Sequence, residues 1–133
     1  MRAPAPILVL SVTLLGACSS TNEAVCTALF ATITVAAHDT AGHPVQGPLE
    51  IVDTIRRTGQ AIVMSQDYSG IGTGGSYAIF DDNQLKKILP GGDSVRVSGA
   101  GAAGRFSADY VFGAPDRCHV AKLSGPDTVL VRP

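Results

Sequence analysis

The chain has no tryptophan, only four phenylalanines and three tyrosines, and just 16% charged residues. A core built mainly on large rings is therefore excluded, and aliphatic side chains must supply most of the buried apolar surface. Neither sign of charge dominates: ten Lys and Arg stand against eleven Asp and Glu, for a net charge of −1. Basic doublets occur at Arg56-Arg57 and Lys86-Lys87, with no longer run. Such scatter excludes the electrostatic footprint of a nucleic-acid binder and the polybasic attraction to anionic lipid. No apolar run reaches the ~20 residues of a membrane-spanning helix. The three cysteines form no C-x-x-C pair, so the common structural zinc pattern is missing. Internal repeats and low-complexity domains are absent, and nothing implies a cofactor.

The front of the chain is its most specific feature. Arg2 supplies positive charge, and Ile7–Leu15 is a short apolar stretch behind Pro4 and Pro6. Leu15-Gly16-Ala17-Cys18 follows, a small-residue cleavage box ending in cysteine. This box resembles the bacterial lipoprotein box. The resemblance implies that residues 1–17 are a lipoprotein signal peptide. It also implies a thioether-linked diacylglycerol on Cys18, usually with an N-acyl chain. Each buried methylene contributes ~0.8 kcal/mol, so two or more chains hold a protein at a membrane where one does not. Ser19 stands where an aspartate would resemble an inner-membrane retention signal. The expected address is a bacterial cell envelope, at the outer membrane or cell surface rather than the inner membrane. The alternative is an ordinary signal peptide cut near Ala17, leaving a free thiol.

With Cys18 assigned to lipid, Cys26 and Cys118 remain, and an exported chain enters a compartment where disulfides persist. A Cys26–Cys118 bridge is expected, with two separate thiols as the alternative. Residues 18–25 read as a lipidated polar tether and residues 26–133 as a single domain.

Strands are expected at Leu29–Ala37, Leu49–Val52, Ala61–Met64, Tyr77–Phe80, Val95–Ser98, Arg105–Phe112, Val120–Leu123 and Thr128–Val131, from alternation and β-branched content. The clearest is Arg105–Phe112, with Phe106, Ala108, Tyr110 and Phe112 on one face. Asp81-Asp82-Asn83 offers N-caps for one short helix near residues 82–89, with Leu85, Ile88 and Leu89 on its buried face. Arg56–Gly59 reads as a tight reversal, and Asp67–Gly75 and Gly99–Gly104 as flexible loops. Seven or eight short strands at near-regular spacing predict an all-β, antiparallel β-sandwich of Ig-like or transthyretin-like type.

The run Ile33-Thr34-Val35 leading into Asp39, Gly42, Pro44, Val45 and Gly47 carries a second resemblance. With the late strand Gly92–Val97 and Cys118-His119-Val120, it resembles the carboxypeptidase regulatory-like domains of bacterial surface proteins. That resemblance implies a transthyretin-like sandwich acting as an accessory or binding module, and supports fold more than function. The same fold includes 5-hydroxyisourate hydrolase. That family's catalytic histidine lies three residues before the turn aspartate, where this chain has Ala36, and its terminal Tyr-Arg-Gly-Ser tail is replaced by Val129–Pro133.

Chemistry-bearing residues give no convergent set. His38, His43 and His119 show no metal-ligand spacing. Asp81-Asp82-Asn83 lacks the rest of a calcium loop. Gly74-Gly75-Ser76-Tyr77 opens a strand with no helix behind it, so it is not a nucleophile elbow. Gly70, Gly72, Gly74 and Gly75 lack the strand–loop–helix unit of a phosphate site. Phe106, Tyr110 and Phe112 read as core rather than as a ligand platform. The expectation is a lipid-anchored envelope module without catalytic activity, catalytic and metal residues absent, contacting a membrane through Cys18 and an envelope protein or glycan through its loops. The alternative is an envelope hydrolase or metal-dependent enzyme whose site converges only in three dimensions. Replacing Cys18 by serine should leave a product that takes up no labelled fatty acid, and normal labelling would refute the anchor.

Overall fold

The computed structural model describes residues 26–67 and 74–133. The expected signal peptide, Cys18, the expected tether and the centre of the Asp67–Gly75 loop lie outside the described residues. Eight strands follow in chain order: β1 Thr32–His38, β2 Leu49–Ile55, β3 Ala61–Met64, β4 Ser76–Asp81, β5 Asp93–Gly101, β6 Gly104–Gly113, β7 Ala121–Ser124 and β8 Thr128–Leu130. They form two sheets, β4-β1-β8 and β3-β2-β5-β6-β7, and the expected β-sandwich is the architecture observed. Every strand pair is antiparallel except β1 with β8, which run side by side in the same direction. Strand β8 reaches β1 only after the chain has built the other sheet, so no hairpin fixes its direction.

The core lies between the layers, and period-2 alternation builds it. Strand β6 buries Phe106, Tyr110 and Phe112, as its pattern predicts. Strand β5 buries Val95 and Val97. The unbroken run Tyr77-Ala78-Ile79-Phe80 is buried throughout, because β4 is covered on both faces. Three of the rings meet at one point: Phe80 and Phe112 stack at 4.4 Å, and Tyr110 and Phe112 at 5.4 Å. This bridges β4 to β6 across the layers.

Four expectations change in detail. Strand β1 begins at Thr32, and Leu29 is 78% exposed rather than inward. Just ahead of β1, Ala31 is held to the helix start through both its backbone groups: its N–H donates to the Asp82 carboxylate at 2.8 Å and its carbonyl accepts the Asp82 N–H at 3.1 Å. Strand β2 runs past Val52 to Ile55, carrying Asp53 into the core. The helix is 3-10 over Asp82–Lys87, with Asp81 capping the Asn83 N–H. At 3.0 residues per turn, Leu85 and Ile88 share a face, while Leu89 falls off it and is 48% exposed. Gly99 lies inside β5 rather than in a loop tip. A Cβ there would sit 2.1 Å from the Phe106 ring, so the glycine makes room for an aromatic laid across the neighbouring strand.

Cys26 and Cys118 are joined by a disulfide, with Cα atoms 5.1 Å apart across a separation of 92 residues. Closing a loop of that length contributes roughly 4–5 kcal/mol in the chain-entropy account. Replacing Cys26 by serine should lower the denaturation midpoint markedly in oxidising buffer and leave it unchanged when both proteins are fully reduced. Equal midpoints in oxidising buffer would contradict the bridge.

Candidate functional site

The disulfide stands beside a polar cluster of Thr27, Asp82, Asp116 and His119. Strand β6 ends at Gly113, and the connection to β7 folds around Asp116, whose carboxylate accepts the Cys118 and His119 N–H groups at 2.9 Å each. These bonds, the His119 N–H first, hold the Asp116 carboxyl below the usual carboxylate range. Arg117 takes a left-handed φ of 61° to make the turn. His119 thereby faces the start of the 3-10 helix. Its Nδ1 lies 2.7 Å from the Asp82 carboxylate and its Nε2 lies 3.0 Å from the Thr27 hydroxyl, beside Cys26.

Hydroxyl, imidazole and carboxylate in line have the connectivity of a nucleophilic relay. The rest of the bonding defines what this one does. Asp82 also accepts the Ala31 N–H at 2.8 Å and the Val120 N–H at 2.8 Å. Desolvation opposes its charge, but the Ala31, His119 and Val120 bonds prevail and its pKa is lowered. One carboxylate thus ties together the segment before β1, the helix start and the segment before β7. The other two histidines lie apart from it. His38 ends β1 and bridges to Pro44, while His43 is exposed, 3.5 Å from Asp39. Asp39 is likewise committed to backbone, accepting the His43 and Ala41 N–H groups. Among the described residues, no group of three or more His, Cys, Asp or Glu is placed to hold a metal ion, and no helix is long and apolar enough to cross a membrane.

The outer face of the five-stranded sheet carries a second charged group. Arg56 and Arg96 both bond the Asp109 carboxylate, at 2.7 and 2.6 Å, holding that carboxyl far below its ordinary range. Arg57 closes the β2–β3 turn onto buried Asp93 with a two-toothed contact of 2.7 and 3.0 Å. Shallow clefts of about 320 and 290 Å³ flank this face near Ser94 and Ser98. A larger open cleft of about 640 Å³ lies between β6 and β8, over Phe106, Ala108, Val129 and Leu130. None of these three is lined by Thr27, Asp82 or His119.

Two groups of consequence are invisible in the sequence pattern. Thr27 and Asp82 sit 92 and 37 residues from His119, and only the fold joins them. Asp53 interrupts the inward row Leu49, Ile51, Ile55 and is fully buried. Neither of its carboxylate oxygens has a hydrogen-bond partner among the described residues, and the same is true of the buried Tyr110 hydroxyl. Desolvation, then the charge of Asp81, pushes the Asp53 pKa up to about 8. Burial first, then Asp127 and Asp53, pushes Tyr110 up to about 12.

No family model, no curated protein and no solved structure matches this chain.

Asp53 gives the fold an unusual pH dependence. Its folded pKa lies above the unfolded value of 3.8, so the folded state holds the proton longer. The stability linked to it is complete below about pH 4, declines as pH rises and is gone above about pH 8. Unfolding measured from about pH 5 to 9 should show this downward slope, and Asp53→Asn should remove it. A wild-type curve with the same slope as Asp53→Asn would contradict a buried neutral acid.

Proposed function

We propose that the chain is a lipid-anchored cell-envelope binding or structural module without catalytic activity, displayed at the outer membrane or cell surface. The observation that carries this reading is the use made of its acids. The carboxylates beside His43 and His119 are bound to backbone N–H groups and lock turns and segments together. A general base is oriented by its acid and opens onto a substrate cavity. Here the acid's remaining lone pairs hold scaffold, and the clefts described above lie elsewhere. The box ending at Cys18 supports the anchor. The resemblance to carboxypeptidase regulatory-like domains supports an accessory role, with an envelope protein or glycan as partner.

The Thr27–His119–Asp82 chain of contacts favours one second reading, an envelope hydrolase with Thr27 as nucleophile. Threonine is a hindered secondary alcohol, and Asp82 is already divided among three donors. Activated esters separate the two readings. The binding-module reading expects hydrolysis at the buffer rate, unchanged by Thr27→Ala or His119→Ala. Turnover lost in both variants, with their folds intact, would establish the hydrolase instead. Cross-linking in intact cells should also recover a specific envelope partner with the wild type and lose it with Cys18→Ser. Identical recovery from both would remove the anchored module.

A further inference from the structure

Strand β6 has one edge that is only partly used. The Arg56 N–H donates to the Ser94 carbonyl, which fixes the even-numbered residues of β5 toward β2. In the antiparallel register with β5, Phe106, Ala108 and Tyr110 therefore bond β5, and Arg105, Ser107 and Asp109 point their backbone groups away from it. Strand β8 is arranged the same way. The Asp127 carbonyl and the Val131 N–H bond β1, so Thr128, Leu130 and Arg132 present their backbone groups to the opposite side.

These two edges meet at one pair. Arg105 and Arg132 exchange both backbone hydrogen bonds, at 2.8 and 2.9 Å. The next pairs in that register would be Ser107 with Leu130 and Asp109 with Thr128, and neither forms. Beyond the closed pair the two edges border the 640 Å³ cleft. Its floor is apolar, from Phe106, Ala108 and Val129, and its walls carry the outward peptide groups of Ser107 on β6 and of Thr128 and Leu130 on β8. Strand β7 rejoins β6 only at Val111.

We propose that this slot takes an extended, acidic peptide segment of a partner protein, added as a strand between β6 and β8. The proposal rests on the binding-module reading and names its site. The extended backbone follows from the walls: a peptide strand satisfies outward N–H and C=O groups at two-residue spacing. The acidic character follows from charge. Arg105 and Arg132 stand at the closed end with no Asp or Glu side chain in the cleft lining, and neither forms an ion pair among the described residues. Nearby Asp109 is held by Arg56 and Arg96. A basic peptide would meet two uncompensated guanidiniums.

The probe is a short fluorescent peptide alternating valine and aspartate. Its counterparts carry lysine for aspartate, or N-methyl groups on one edge of the backbone. The acidic peptide should bind the full chain, and the lysine peptide should not. N-methylation should abolish binding, because it removes strand pairing while keeping side chains and charge. Arg105→Gln and Arg132→Gln should each weaken binding about tenfold, the scale of one lost charge-assisted contact. Leu130→Pro removes an outward N–H without breaking a backbone bond to β1 and should also prevent binding, and circular dichroism checks that its fold persists. No binding of the acidic peptide, equal binding of the lysine peptide, or indifference to N-methylation would each overturn the proposal. So would a dimer in sedimentation that Leu130→Pro dissolves, since the occupant would then be a second copy. Failure of the peptide with a partner still recovered in cells would remove this slot and leave the anchored module standing.

Discussion

The structure depends on one knot, where the disulfide Cys26–Cys118 and the Asp82 carboxylate fasten the ends of the fold to its middle. A small sandwich with few aromatic rings buries a modest apolar area, so its margin over chain entropy is narrow. The knot acts at the segment ahead of β1. This segment lies ahead of the first strand, and Leu29 and Phe30 are exposed. The bridge limits the unfolded chain, and the carboxylate adds charge-assisted bonds to Ala31, His119 and Val120. With both in place, β1 enters the three-stranded sheet in a fixed register, and β8 can lie against it.

From that constraint follows a division of labour among the polar groups. Those at Asp39, Asp82, Asp93 and Asp116 act inside the scaffold, each binding backbone N–H groups or a nearby guanidinium. Groups left over are at strand edges and beside clefts. The sheet of five ends its β6 edge early, and the sheet of three ends with β8. The opening between them exists because the strands are joined at Arg105–Arg132 and nowhere else in that register. Asp53 stands outside both classes. It is a carboxyl in an aliphatic row, and its solvation is given up with no hydrogen bond in return among the described residues.

Legibility in the sequence followed the physics of each element. Strand β6 was readable because Phe106, Ala108, Tyr110 and Phe112 repeat at two residues and face one core. The helix was placed correctly by its Asp81 cap, but its buried face was misassigned because a 3-10 turn repeats at three residues and aligns Leu85 with Ile88 only. Strand β2 appeared to stop at Val52, since an aspartate in a core row breaks the pattern on which strand reading relies. Ahead of β1, Leu29 continued an alternation that the fold does not use. The Thr27–His119–Asp82 contacts had no local signal at all, because capping, period and turn chemistry reach only a few residues along the chain.

A double-mutant cycle on the knot is the most direct test of this account. Unfolding free energies would be measured in oxidising buffer for the wild type, Cys26→Ser, Asp82→Ala and the double variant. If the bridge holds the N-terminal segment against Asp82, the Asp82→Ala cost should fall by about 1 kcal/mol or more once the bridge is absent. Costs that add to within about 0.5 kcal/mol would mean the two fastenings are independent, and the knot would not be the constraint on which the fold depends.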